Sequence, residues 1–193
     1  MSTKSLNIGL TGCGHLGKIH CRLINEIAKI NSNVTFTGVY DSDSAVTEAI
    51  SKEYSIKAYR SLEEILAEVD ALVIVTPTST HFEIAQKALE KDINIFIEKP
   101  VTSSLKEAEE LIKMAEGKKV KIQVGHVERF NPALVALEKF EMKPRFIESH
   151  RLAQFNPRGT DVSVIQDLMI HDIDVILNLA GSPVKKIDAN GVA

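Results

Sequence analysis

Cysteine is scarce in this sequence, and long apolar runs, basic tracts and repeats are missing. Cys13 and Cys21 are the only two cysteines. They are too few for a disulfide framework and make no metal-binding spacing with the histidines, so no metal centre is expected. Ala71-Leu72-Val73-Ile74-Val75 is typical of the longest apolar runs, far short of the roughly 20 residues that span a bilayer. No long basic stretch occurs and the formal net charge is -3, so neither nucleic acid nor a membrane is an expected partner. Met1 to Ser5 carries no signal-peptide core, and with so little cysteine this points to a cytoplasmic protein. What remains is an ordinary globular composition, 44% apolar and 25% charged over 193 residues. That is enough for one full domain and part of another.

Strand and helix patterns alternate through the first part of the chain. Leu6 to Leu10, Val34 to Tyr40, Ala71 to Val75, Ile93 to Ile97 and Val120 to Val124 read as strands. Helices are expected from Leu16 onward with Leu16, Ile19, Leu23 and Ile27 on one face, over Ser44 to Tyr54, from Ser61 with Glu64 in a capping box, over Ser79 to Glu90, and over Ser104 to Glu116. Continuous apolar strands separated by helices imply a parallel sheet covered on both faces. Residues 1–124 therefore read as an α/β unit, a doubly wound Rossmann domain. Beyond it, a helix opened by Asn131-Pro132, a long strand from Arg145 to Phe155, a polar loop, a helix from Ser163 to Leu179 and a last strand from Lys185 to Asp188 suggest an α+β domain. Residues 125–193 give that domain a thin core, so it reads as incomplete.

Chemistry concentrates at the carboxyl ends of the strands, where open parallel sheets bind ligands. Gly12-Cys13-Gly14-His15-Leu16-Gly17 lies between the first strand and the first helix. In that setting the first glycine permits the turn, the second lets a pyrophosphate approach the backbone, and the third allows close helix packing. Asp41, at the end of the second strand, stands where a carboxylate accepts hydrogen bonds from an adenosine ribose. It would repel a 2′-phosphate, which favours NAD over NADP. Thr76-Pro77-Thr78-Ser79-Thr80-His81 either caps the next helix or also lines a cofactor. In Glu98-Lys99-Pro100, the proline restricts Lys99 to extended geometry and allows a cis bond. A lysine fixed there could hold a substrate hydroxyl and stabilise alkoxide charge, or simply be exposed in a turn. Ser163, Asp167, His171, Asp174 and Asn178 recur at helical spacing as a stripe of short polar groups, which suits a cleft wall or a solvated face. His171 is the candidate base, with Asp167 one turn earlier.

Together these residues resemble the glucose–fructose oxidoreductase/inositol dehydrogenase family. The resemblance rests on Gly12-x-Gly14-x-x-Gly17, Thr76-Pro77 with His81, Glu98-Lys99-Pro100 and Asp167-x-x-x-His171, and it extends over essentially the whole chain. It implies NAD held by Gly12, Cys13, Gly14, His15, Leu16, Gly17, Asp41, Thr76, Pro77, Thr78, His81, Glu98 and Lys99. It also implies a catalytic set of Lys99, Asp167 and His171, hydride transfer between a sugar or polyol hydroxyl and the nicotinamide, and a homo-oligomer. Gly125 to Pro132 and Asp167 to Asp172 resemble the branch that oxidises the 3-hydroxyl of UDP-N-acetylhexosamines. Met169 departs from the glycine of many family members, and those members continue well past 193 residues. Two rival readings stand beside this one: a non-catalytic NAD-binding module, and an enzyme that uses NAD for elimination or cleavage without net redox change.

Overall fold

The structure is a computed structural model that describes residues 5–152 and 162–191. These residues fall into two compact units, one ending at Gly125 and the other beginning at His126.

The first unit runs β1 (Leu6–Thr11), α1 (His15–Ile30), β2 (Val34–Tyr40), α2 (Ser44–Tyr54), β3 (Lys57–Ala58), α3 (Leu62–Leu66), β4 (Ala71–Ile74), α4 (His81–Glu90), β5 (Asn94–Ile97), α5 (Leu105–Ala115) and β6 (Ile122–Val124). A 3₁₀ turn, Thr78–Thr80, leads into α4. The strands form one sheet in the order β3-β2-β1-β4-β5-β6, and every pairing is parallel. The order reverses direction at β1, which opens a crevice at the carboxyl ends of β1 and β4. One face of the sheet packs Leu72, Ile74, Ile95 and Ile97 against Ile65, Leu89 and Leu111 of the covering helices. The other packs Leu10, Val39 and Val73 against Cys21, Ile24 and Ile50. Burial on both faces is why these strands read as continuous apolar runs.

Side-chain caps fix where the helices start. Asp43 accepts the Ala45 and Val46 N–H groups at α2, and Ser104 with Glu107 forms a complete capping box at α5. At α3 the expected box is half made. Ser61 accepts the Glu64 N–H, but the Glu64 carboxylate takes the Arg60 N–H instead of the one on Ser61. The two-residue β3 has no apolar signature and is invisible to periodicity.

The buried face of α1 differs from the expected one. Leu16, Ile19, Leu23 and Ile27 share a face, but they remain 38–47% exposed. Gly17, Cys21 and Ile24 turn inward instead. Backbone proximity at the start of the helix contributes: at Gly17 the helix lies so close to the Gly12 carbonyl that no side chain fits there, and farther along the same line Cys21 and Ile24 fill the space against the sheet.

The second unit carries a 3₁₀ turn (Val127–Phe130), α6 (Pro132–Leu137), a π-helical turn (Ile165–Met169) and α7 (Ile170–Ala180), which ends at Gly181 in left-handed geometry. Neither strand expected here forms among the described residues: 145–152 and 185–188 are irregular. Alternating side chains suit a strand, but a strand also needs a neighbouring backbone ladder, and no described segment supplies one. Residues 153–155 of the expected strand, and the loop after them, lie outside the described residues. No described residue after Gly125 is fully buried. Among the described residues, no helix is long and apolar enough to cross a membrane.

Candidate active site

Three strand ends are in register. Thr11 pairs with Ile74, and Ile74 pairs with Ile97. The glycine turn after β1, the Val75–Thr80 segment after β4 and Glu98-Lys99-Pro100 after β5 therefore leave the sheet side by side. Two strand spacings put the first and third about 10 Å apart where they leave it.

Each glycine of the turn meets a different constraint. Gly12 has φ +92°, and a Cβ there would lie 2.6 Å from the Val75 carbonyl atoms. A Cβ on Gly17 would lie 1.9 Å from the Gly12 carbonyl oxygen. These two positions exclude side chains for internal reasons. A Cβ on Gly14, in contrast, would meet nothing within 4 Å. The backbone is bare there toward open space, as a phosphate-binding turn requires. Gly14 caps α1 without any side-chain hydrogen bond, and no acidic residue occupies the first turn. The leading amides and the positive end of the helix dipole thus remain available to an anion. His15 and Leu16 are exposed at the start of α1.

Asp41 is tied directly to this turn. Its Oδ2 accepts the Cys13 N–H at 2.6 Å, its Oδ1 accepts the Asp43 N–H at 2.9 Å, and its own N–H donates to Thr47 Oγ1 at 2.9 Å. The carboxylate keeps lone pairs for further donors. Cys13 is buried, and a hydrogen bond with Cys21, together with burial, pushes its thiol far above the usual range. It is therefore a space-filling group and not a nucleophile. A bare turn, uncapped amides and an anchored acid fit a dinucleotide.

The β4 and β5 loops are joined by His81. Its ring is buried, with Nδ1 2.9 Å from the Pro100 carbonyl oxygen and Nε2 2.9 Å from the Thr76 carbonyl oxygen. Both ring nitrogens are thus committed to backbone, which leaves His81 no polar edge for a cofactor. Thr78 is buried, Pro77 is exposed, and Thr80 Oγ1 donates to Thr76 Oγ1 at 2.7 Å. The Lys99–Pro100 bond is cis. The Glu98 carboxylate also turns into the protein. Its Oε1 accepts His20 Nε2–H at 2.7 Å, and its Oε2 accepts the Lys99 N–H at 3.2 Å. The spacing of the sequence shows no partner for His20, which reads from it as structural by default. The available signal was a carboxylate at the end of a buried strand, which must find a partner.

Asp167 and His171 belong to the second unit. Asp167 lies within the π-helical turn and His171 just after it: the Ile170 N–H reaches the Ile165 carbonyl, five residues back. Such turns alter side-chain register and often occur at functional sites. The flanking acids are held by arginines that the polar-stripe pattern did not reveal. Arg129 grips Asp174 through two bonds of 2.7 and 2.6 Å, and Arg151 grips Asp172 through bonds of 2.6 and 2.9 Å. These guanidinium groups hold both carboxyls below the usual range.

A family model described as an oxidoreductase family with the NAD-binding Rossmann fold matches residues 6–126. The chain belongs to that family. The chain is 39% identical to UDP-N-acetylglucosamine 3-dehydrogenase of Acidithiobacillus ferrooxidans over 189 residues, which cover 97% of this chain and 58% of the relative. A solved structure of that dehydrogenase superposes with a TM-score of 0.89, covering 98% of this chain and 61% of the other. Inositol 2-dehydrogenase of Rhizobium meliloti is 29% identical over 188 residues, 92% of this chain and 56% of the relative. GenD2 from gentamicin A biosynthesis, solved in complex with NAD, is 25% identical with a TM-score of 0.64, over 72% of this chain and 39% of that one. The chain thus spans a little over half the length of the curated relatives it matches.

Proposed function

We propose that this protein is an NAD-dependent dehydrogenase that oxidises a sugar hydroxyl, with the 3-hydroxyl of a UDP-N-acetylhexosamine as its substrate. The observation that carries the redox reading is the shared edge of β1, β4 and β5, which sets a bare glycine turn about 10 Å from the departure point of Lys99. The substrate assignment is supported by 39% identity, over 97% of this chain, to a UDP-N-acetylglucosamine 3-dehydrogenase.

The amides at the start of α1 hold the pyrophosphate, with Gly14 providing the approach. Asp41 accepts the adenosine ribose hydroxyls with the lone pairs its two backbone donors leave over. NAD, when bound, supplies the hydride acceptor. Lys99 donates to the reacting hydroxyl oxygen and stabilises the negative charge that develops on it. His171 takes the hydroxyl proton, and Asp167 orients the substrate. A homo-oligomer in the cytoplasm belongs to the same reading; for the compartment, the two buried free cysteines suit a reducing environment.

Lys99→Ala tests the assignment. Turnover of UDP-N-acetylglucosamine, followed by NADH absorbance, should fall roughly 10²–10⁴-fold, while NAD affinity by calorimetry changes little. Normal turnover in the variant overturns the role of Lys99. Absence of stoichiometric NADH from the native protein would favour a non-redox use of NAD or a binding module.

A further inference from the structure

The Glu98 carboxylate sits in a closed setting. Its side chain is 9% exposed. Its short partner is His20 Nε2 at 2.7 Å, and the Lys99 amide donates to its other oxygen at 3.2 Å. On a third side the carboxylate lies against the Gly125 backbone, where a Cβ would come within 2.9–3.0 Å of its three terminal atoms. A carboxylate only accepts, so Nε2 of His20 carries the hydrogen. The His20 ring is itself held against Phe96, with centroids 5.4 Å apart and a 57° tilt. His20 lies on α1, the helix whose first turn faces the phosphate site, while Phe96 and Glu98 belong to β5 and its end.

We infer that His20 is a positioning residue: through Glu98 it fixes the backbone of Lys99 and ties that lysine to the helix that binds the dinucleotide. The inference rests on the reading of Lys99 as catalytic. His20 acts by satisfying a buried charge that would otherwise draw in water or turn away and release the Lys99 amide. His81 holds the far side of the same segment through the Pro100 carbonyl. Lys99 is therefore bracketed by two histidine contacts, one to α1 through Glu98 and one to the Thr76 loop.

Three variants of the protein test this. His20→Leu removes the donor at similar volume. His20→Gln keeps an N–H near the Nε2 position. Glu98→Gln keeps the shape but has one oxygen, so it cannot accept from His20 and Lys99 together. The first readout needs no turnover: hydrogen exchange of the Lys99 amide, observed by NMR after selective ¹⁵N-lysine labelling. H20L and E98Q should exchange at least about 10-fold faster there, and H20Q should stay within about 3-fold of the native rate. The second is kinetic: kcat should drop at least about 10-fold in H20L with KM for NAD unchanged, and H20Q should restore it. An unchanged Lys99 amide in H20L and E98Q overturns the inference, as does an equal loss in H20L and H20Q. If Lys99→Ala stays active while the amide responds as expected, the catalytic reading fails and the positioning geometry stands.

Discussion

Gly14 and Gly17 share a motif but fail differently when changed, and that difference separates ligand binding from folding. A methyl group on Gly17 meets the Gly12 carbonyl oxygen at 1.9 Å, so the helix must move. Gly17→Ala should destabilise the protein by about 1–3 kcal/mol, the usual cost of overpacking against a rigid neighbour. A side chain on Gly14 enters open space. Gly14→Val should leave the melting temperature within about 2 °C, yet weaken NAD binding at least about 10-fold by covering the phosphate approach. Calorimetry and thermal melts on the two variants check both outcomes, and a Gly14→Val protein that binds NAD normally would remove the phosphate site from this turn. The strand-to-helix turn that carries the three glycines was legible in the sequence because it depends on local backbone. The commitments of His81 and Glu98 were not, since their partners come from other strands and from α1.

Among the elements, α7 depends on two arginine forks, and this gives it an acid limit. Arg129 and Arg151 hold Asp174 and Asp172 below the ordinary carboxylate value of 3.8. Their stabilisation is therefore fully present above that value and is lost as the pH falls below it, through the depressed folded values. The Arg129 side chain is 52% exposed, so each pair contributes at most about 1 kcal/mol. Amide exchange across Ile170–Ala180 should be slower at pH 5 than at pH 3 after correction for intrinsic rates. Asp174→Asn at pH 7 should reproduce part of the acid effect, and equal protection in all three cases would show that the forks do not hold the helix. The helix itself was readable from its polar stripe and its terminal glycine. The π-helical turn at Ile165–Met169 was not, because nothing in a four-residue spacing reveals an inserted five-residue hydrogen bond.

Across the described residues, burial is uneven: their buried core lies before residue 126, and none after it is fully buried. Local opening should follow that division. Limited proteolysis read by mass spectrometry should cut first beyond Gly125. NAD at a hundred times its Kd should slow cleavage within residues 6–124, since binding adds about 2.7 kcal/mol to the state that holds it. First cuts within β1 to α5 would contradict this. By itself the sequence determined the parallel α/β sheet, the positions of its helices and the glycine turn between β1 and α1, because apolar periodicity, capping residues and glycine placement are local and agree with one another. Only the tertiary structure decided which face of α1 is buried, whether 145–152 finds a partner strand, and which side chains close around Glu98. Those outcomes depend on backbone distances and long-range pairings that no stretch of neighbouring residues encodes.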